Sequence, residues 1–362
     1  MNEKVLKKVF QLYLIVIDQI SSHEHKQMKC ISSTFNFKML SSVLLLFAFN
    51  SNVCWSQGVP TFRIAKFKDN KACAISYTFD DGLKEHYTLV TPGLNKLGFK
   101  GTFVINGSKI NRDENNITDT TRMTWQELKE MAKSGQEISN HGWAHKNFGR
   151  FSLQEIKEDI DKNDSAIFAN VGIKPVTFAY ANNTKTPEGV KIASENRVDT
   201  RTFQRSLGGK STLDELDSWV DKLVADHDWG VTMTHGITYG YDHFVSQDIL
   251  WEHLKNVKAR EHEIWVGTFR EVAAYVKERD STTLQVQPLA KGKYKIMPVC
   301  SLNKTLFTEP LTIILEATDI KKVEIRQGDK KIKPTLEPDK ILFNIDPFAG
   351  SVHIDLKKNN YE

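Results

Sequence analysis

The sequence predicts an α/β protein that carries a small all-β domain after it. From residue 73 to about 279, short apolar runs alternate with segments of helical periodicity, an alternation typical of a parallel sheet. After Asp280 the pattern changes to short runs with period-2 alternation, separated by turn signals such as Gln327–Gly328–Asp329. We expect these runs to form a sandwich of about 75 residues.

The elements of the α/β part follow from its periodicity and its helix-end signals. Thr124–x–x–Glu127 and Ser152–x–x–Glu155 are capping boxes that open two helices. The predicted strands are 72–78, 101–105, 136–139, 176–180, 231–234 and 264–269. The predicted helices are 92–97, 124–133, 152–169, 247–261 and 271–278. Six to seven strands fall short of eight, so the pattern alone leaves a barrel and a doubly wound sheet both open.

The composition excludes several classes of protein. Of the 362 residues, 40% are apolar and 26% are charged, as in ordinary globular proteins. Without residues 1–56 the chain keeps 43 basic and 42 acidic residues, a balance that gives no reason to expect nucleic acid as a partner. Beyond the N-terminal region no run of about 18 apolar residues occurs, so no membrane span is expected in the mature chain. The oligomeric state is left open.

Residues 1–56 are interpreted as an export signal region that ends near residue 56. Lys29 and Lys38 precede the apolar run Met39–Phe49, and Ser56–Gln57 is a plausible cleavage point. About 27 residues precede this pattern, which a misassigned start codon, with Met28 or Met39 as the true start, would explain. The alternative, an uncleaved membrane anchor, is less favoured because the apolar run is short. We therefore expect a periplasmic or secreted protein.

Two cysteines, Cys73 and Cys300, remain after the signal. They either pair in an oxidising compartment or stay as buried thiols, and the sequence leaves both possibilities open. Neither has CxxC or CxxH spacing, so a thiolate zinc site is not expected.

Three polar clusters follow predicted strands, where parallel α/β folds carry their chemistry. Asp80 and Asp81 lie in the segment TFDDG, His141 and His145 in HGWAH, and His235 in THG. Alone, each is weak evidence, because an Asp–Gly pair also shapes turns and single histidines are common. The two histidines would share a face if their segment were helical, as in metal-binding pairs.

Together the clusters suggest a hydrolytic metal site. One aspartate and two histidines can hold a zinc-like ion and leave a fourth position open for water. A second carboxylate is then available to accept a proton, and a separate histidine can protonate the leaving group.

The order and spacing of these motifs resemble the polysaccharide deacetylases, the NodB homology domain of carbohydrate esterase family 4. The resemblance covers roughly residues 72–275, and TFDDG followed about 60 residues later by HxxxH is its strongest part. It implies a distorted (β/α) barrel of about seven strands in a catalytic domain at 57–282, with 283–362 as a small all-β, sandwich-like accessory domain.

The resemblance also implies roles for the motif residues. One divalent metal ion, expected to be Zn²⁺, would be bound by Asp81, His141 and His145. Asp80 would be the base that activates the hydrolytic water, and His235 would match the catalytic acid. A backbone N–H near Tyr180 would help to hold the oxyanion.

This chain departs from the family's third motif, which usually carries Arg and Pro. Phe178–Asn182 reads FAYAN and has neither. We expect Arg201 to take over the orientation of the base. Gly142 stands where the family often has Ser or Thr, and Asp226–Trp229 is a candidate for the fourth motif, although its acids could simply cap the following strand.

The predicted function is removal of acetyl groups from an N- or O-acetylated oligo- or polysaccharide. Trp143, Tyr239 and Tyr241 lie beside motif residues and are candidate sugar-stacking aromatics, although core packing is an open alternative for Trp143. Two other functions stay open: a metal-dependent amidase or esterase with a non-sugar substrate, and a catalytically weak carbohydrate-binding protein.

Overall fold

Parallel strands joined by helices occupy the first two thirds of residues 60–358, which are the residues that the computed structural model describes. Its strands in this part are β1 (Phe62–Ile64), β2 (Cys73–Ser76), β3 (Thr78–Asp80), β4 (Thr102–Ile105), β5 (Glu137–Asn140), β6 (Thr177–Ala179), β7 (Asp199–Arg201), β8 (Arg205–Ser206), β9 (Trp229–Met233) and β10 (Ile264–Val266). Its helices are α1 (Thr91–Leu97), α2 (Trp125–Lys133), α3 (Leu153–Val171), α4 (Pro187–Ser194), α5 (Leu213–Asp226), α6 (Asp248–Ala259) and α7 (Phe269–Asp280), and a π-helical turn, His86–Val90, leads into α1.

The parallel strands curl into a distorted barrel. β3, β4, β5, β6 and β7 pair in that order, while β2 pairs with both β10 and β9. A bridge between Phe79 and Thr234 joins the two sheets. When β2 and β3 are counted as one interrupted strand and the two-residue β8 is left aside, seven strands form the barrel. The predicted α/β class and the distorted barrel of about seven strands are confirmed, and within residues 60–358 no ladder closes the barrel between β7 and β8.

The barrel is stable because its strands are apolar and its helices present one apolar face. All residues of β2, β3 and β4 are buried, and the core includes Tyr77, Phe79, Phe103 and Leu128. Burying one such side chain contributes about 1.5–3 kcal/mol to the free energy of folding. Complete capping boxes open α2, α3, α5 and α7, so the two predicted boxes form as expected. The prediction omitted β1, α4, α5, β7 and β8.

The C-terminal part consists of two antiparallel sheets that share a core. Its strands are β11 (Thr282–Ala290), β12 (Lys293–Cys300), β13 (Leu311–Glu316), β14 (Ile320–Gln327), β15 (Lys330–Ile332), β16 (Thr335–Leu336), β17 (Lys340–Ile345) and β18 (Val352–Lys358). The sheet orders are β11-β12-β18-β14-β15 and β1-β13-β17-β16. Ile296, Leu315, Ile325, Phe343 and Ile354 lie in their common core, which agrees with the predicted sandwich.

One strand of this sandwich comes from the N-terminal side of the barrel. β1 pairs antiparallel with β13, with Phe62 opposite Leu315 and Ile64 opposite Ile313. The predicted boundaries of the catalytic and accessory domains stay a prediction, but residues 62–64 belong by pairing to the sheet of the C-terminal part.

Cys73 is buried and Cys300 partly buried, and both are free thiols. The predicted export signal lies outside the described residues. Within residues 60–358, no helix has both the length and the apolar character needed to cross a membrane.

Candidate metal centre and active site

The predicted motif residues meet at the end of the barrel where the parallel strands finish. They lie at or just beyond the C-terminal ends of β3 (Asp80, Asp81), β5 (His141), β6 (Tyr180), β7 (Arg201) and β9 (His235). This end of a barrel is where enzymes of this architecture carry their active sites.

Asp81, His141 and His145 form a cluster suited to a metal ion. Their nearest ligand-type atoms all lie within 4.8 Å of one another. The Nε2 atoms of His141 and His145 are each 3.7 Å from Oδ1 of Asp81, and the two imidazole rings are 4.7 Å apart between centroids. One carboxylate and two imidazoles are a donor set that fits zinc and similar divalent ions.

The surroundings of His141 determine which ring nitrogen is free to bind a cation. His141 is 2% exposed, and its Nδ1 lies 2.8 Å from the backbone oxygen of Ala179. A carbonyl oxygen can only accept, so Nδ1 carries the proton and Nε2 keeps its lone pair toward Asp81. Burial, followed by the neighbouring His141, lowers the pKa of His145, which favours the neutral imidazole that metal binding requires.

The backbone is strained at two of the three candidate ligands. Asp81 has φ 76° and His145 has φ 56°, in the left-handed region that non-glycine residues rarely adopt. Such conformations cost about 1–3 kcal/mol each and concentrate at functional sites. The His141–His145 segment is an irregular loop, so the two histidines do not form a pair on one face of a helix. The left-handed turn at His145 brings the two rings together instead.

Helix α3 fixes this loop through buried polar side chains. Asp159 accepts a hydrogen bond from Ala144 N–H at 2.9 Å, and Asn163 donates to Asn140 at 2.8 Å. Gly142 has φ 75°, and a Cβ there would lie 2.4 Å from Oδ2 of Asp159. This close approach explains why glycine stands where the family often has Ser or Thr.

Asp80 and Arg201 form a buried, two-pronged ion pair. Arg201 Nη1 is 2.7 Å from Oδ1 of Asp80, and Nη2 is 2.5 Å from Oδ2. Each side chain is 2% exposed. Burial alone raises the pKa of Asp80, but the Arg201 guanidinium outweighs it and lowers the pKa to about 2. Asp80 is therefore ionised at neutral pH. The contact that we expected of Arg201 is present in the structure, while its role in orienting a base stays a prediction.

His235 follows β9 and is held through its backbone. Thr234 exchanges backbone hydrogen bonds with Thr78 and Asp80 at 3.0 and 2.8 Å. The Nε2 of His86, a fully buried histidine, lies 2.7 Å from the carbonyl oxygen of His235. Burial lowers the pKa of His86 to about 4, so its ring is neutral and can donate from Nε2. Nδ1 of His235 is buried and has no hydrogen-bond partner among the described residues.

The other residues that we predict to contact the substrate differ in their exposure to solvent. Tyr180 is 2% exposed, and its hydroxyl donates to Thr200 at 2.8 Å. The half-buried Trp143 packs with the core, and the ammonium group of Lys162 lies 4.4 Å from its ring centroid. The hydroxyl of Tyr239, also half-buried, donates to the Thr121 carbonyl at 3.2 Å. Their predicted roles toward substrate stay predictions.

The candidate for the family's fourth motif lies away from this site. Asp226 ends α5, and Oδ1 of Asp228 accepts the N–H of Trp229 at 2.8 Å. Trp229 begins β9, whereas His235 follows its far end. This segment caps a strand, as the alternative interpretation held.

Three buried polar residues that the sequence did not single out also support the site. Glu85 is 2% exposed and accepts hydrogen bonds from the segment after His235. Asp159 and Asn163 hold the histidine loop from α3. For these two a sequence signal existed, because they lie on the same helix face as the buried Ile156, Ile160 and Ile167.

Comparison with known proteins bears on the family of this chain. Residues 68–200 match the family described as Polysaccharide deacetylase. For this part of the chain, the match confirms the resemblance to the polysaccharide deacetylases that the motifs carry.

Individual relatives match only part of this chain, with 29% to 31% sequence identity. The peptidoglycan-N-acetylglucosamine deacetylase PgdA of Listeria monocytogenes is 31% identical over 207 residues, or 52% of this chain and 41% of PgdA. The uncharacterised protein YlxY of Bacillus subtilis is 29% identical over 116 residues, or 32% of this chain and 33% of YlxY. The chain thus spans less than half the length of these relatives. Among solved structures, a family 4 acetyl xylan esterase from Clostridium thermocellum aligns with a TM-score of 0.39 and 19% identity, over 55% of this chain and 89% of that one.

Proposed function

We propose that this protein is an exported, metal-dependent carbohydrate deacetylase. One observation carries the proposal. The ion pair Asp80–Arg201 lies directly beside the three residues that could bind a cation. Asp81 belongs to the cluster and Asp80 precedes it in the chain. One strand end therefore supplies both a candidate ligand and a candidate base.

Asp81, His141 and His145 would hold one divalent cation, for which Zn²⁺ is our proposal. A divalent ion bound by these residues supplies Lewis acidity, which acidifies water and polarises a carbonyl group. The Ala179 carbonyl orients the His141 ring for this role, as outer hydrogen bonds do in metal sites.

Asp80 is the proposed base. Each carboxylate oxygen has two acceptor positions, so the two contacts with Arg201 leave one position on each oxygen for a water proton. Arg201 also fixes the carboxylate plane, because its guanidinium donates in a rigid fork. Both groups are buried, and the carboxylate therefore needs little reorganisation when it accepts the proton.

His235 is the proposed acid. Hydrolysis adds a water oxygen to the acetyl carbon and breaks the bond from that carbon to the sugar nitrogen or oxygen. Asp80 accepts one water proton, and His235 donates a proton to the departing sugar atom. The products are acetate and a free amine or hydroxyl on the sugar.

The proposed substrate class is an acetylated glycan outside the cytoplasm. The signal-like residues 28–57 support export, and the name of PgdA indicates that a relative acts on N-acetylglucosamine of peptidoglycan. N-Acetylglucosamine oligomers are therefore the first substrates to test, and acetylated xylo-oligosaccharides are the O-acetyl counterpart.

The test is acetate release by purified protein, measured after chelation and after adding back Zn²⁺. We expect release that chelation abolishes and Zn²⁺ restores, together with no release by the Asp80→Asn variant. Acetate release that is unchanged after chelation would contradict the metal proposal. Glycan binding with no turnover under any metal would contradict the enzyme proposal and favour the binding-protein alternative.

A further inference from the structure

The loop that follows His235 is anchored to the barrel at its beginning. We call residues 236–243 the rim loop. The carboxylate of Glu85 accepts hydrogen bonds from Ile237 N–H, from Thr238 N–H at 3.0 Å and from the Thr238 hydroxyl at 2.8 Å. Glu85 is 2% exposed. Three donors on one buried carboxylate hold this end of the loop firmly, because charged hydrogen bonds are stronger than neutral ones.

The other end of the rim loop is anchored as well. Asp242 accepts hydrogen bonds from Gly209 N–H at 3.1 Å and from the Ser206 hydroxyl at 3.0 Å. Gly236 N–H donates to the Tyr241 carbonyl at 3.2 Å, which closes the loop on itself. A Cβ at Gly236 would lie 2.0 Å from the carbonyl oxygen of Tyr239, so the backbone is packed too closely for any other residue at that position.

This anchored loop presents an aromatic ring to solvent. Tyr241 is 74% exposed, although its backbone is fixed on both sides. Its ring centroid is 5.0 Å from that of His235, and the two rings are nearly perpendicular. Tyr241 is much more open than Trp143 or Tyr239, the other aromatic residues beside the motifs. An exposed ring on a restrained backbone loses little entropy when it binds a ligand.

We propose that Tyr241 determines specificity by packing against the sugar that loses its acetyl group. This inference rests on the proposed function, because it uses His235 as the acid. Deacetylation divides the substrate into acetate and sugar, and the proton from His235 goes to the sugar atom. The sugar must therefore lie against His235, where Tyr241 is also in contact. The C–H face of a sugar ring is apolar and packs on the electron-rich face of an aromatic ring.

The experiment compares two substrates on the same protein. One is an N-acetylglucosamine tetramer (or an acetylated xylo-oligosaccharide if that is the better substrate), and the other is 4-nitrophenyl acetate, whose leaving group is no sugar. We expect Tyr241→Ala to lower the ratio of kcat/KM for the glycan to kcat/KM for the ester by about tenfold or more, as truncating a well-placed aromatic does at interfaces. Tyr241→Phe should restore the ratio, because the ring provides the contact.

A matched control and a binding measurement complete the test. Phe168 on α3 is 61% exposed, and Phe168→Ala should leave the ratio unchanged. Glycan binding to the Asp80→Asn protein, measured by calorimetry, should weaken by a similar factor when Tyr241→Ala is added. Equal losses with both substrates, or no loss, would overturn the role of Tyr241. No acetate release by the wild-type protein from any glycan would overturn the proposed function, and this inference with it.

Discussion

Replacing Arg201 by methionine removes the cation that faces Asp80 inside the barrel. Both side chains are 2% exposed, so the carboxylate would stay buried without a partner. Breaking a buried pair in this way costs about 3–5 kcal/mol. We therefore expect the free energy of unfolding of the chelated protein at pH 7 to fall by about 3–5 kcal/mol, measured by urea denaturation. Arg201→Lys keeps the positive charge but loses the two-pronged hydrogen bonding. Its free energy of unfolding should therefore lie between those of the wild-type protein and the Arg201→Met variant.

The same change should alter the pH dependence. Arg201 lowers the pKa of Asp80 from an ordinary 3.8 to about 2. A lowered folded-state pKa gives stability that is present above the unfolded value and lost as pH falls through the folded value. A shift of this size corresponds to about 2–3 kcal/mol. Without Arg201, burial raises the pKa of Asp80, so the acid limb of the rate profile should move to higher pH.

Arg197 provides a matched control for both measurements. It is 8% exposed and pairs with Asp164 at 2.6 Å, but it does not touch Asp80. Arg197→Met should reduce stability and leave the acid limb in place. If Arg201→Met kept both the stability and the acid limb of the wild-type protein, the assignment of Arg201 as the positioning partner of Asp80 would be wrong.

Three further changes test other parts of the structure. Asp80→Asn should abolish turnover while the metal stays bound, because Asp80 is not in the ligand cluster; metal loss in elemental analysis would mean that the two aspartates have exchanged roles. His145→Ala should reduce metal affinity steeply, since one of three ligands is lost, and full zinc occupancy would remove His145 from the ligand set. Glu278 is fully buried, and burial raises its pKa from 4.5 to about 8. The folded state then holds a proton that the unfolded state releases, so stability should fall from about pH 4.5 to 8 by a few kcal/mol. Urea denaturation across this range should show the slope, and Glu278→Gln should remove it; an unchanged slope in that variant would assign it to other groups.

The position of the site was predictable because parallel strands share one edge. Asp81, His141 and His235 each follow a predicted strand, and in a parallel sheet such positions converge whatever their separation in sequence. Arg201 was predicted as the partner of Asp80 only because the Arg of the family's third motif is absent from Phe178–Asn182. The structure places that contact, because β7 pairs with β6 and brings residue 201 into the barrel.

Other features depend on contacts that no local pattern encodes. β1 has three residues and pairs with a strand about 250 residues later, so nothing in its own sequence identifies its partner. Helix α5 is not among the predicted helices, although Thr212 and Glu215 form the same capping box, so its sequence does carry a helix signal. Glu85 lies four residues after Asp81, but its hydrogen bonds reach a loop about 150 residues away.

Because β1 pairs with β13, the order in which the strands are synthesised differs from the order in which they can pair. Residues 62–64 leave the ribosome before the barrel, yet their partner strand is synthesised only after it. Until Leu311–Glu316 emerges, β1 has no sheet to join, and a fragment that starts at residue 283 would carry β13 as an open edge. Unpaired edges invite association between chains. Separate expression of the C-terminal sheets should therefore give aggregates unless the β1 segment is supplied with them, as a fusion or as an added peptide.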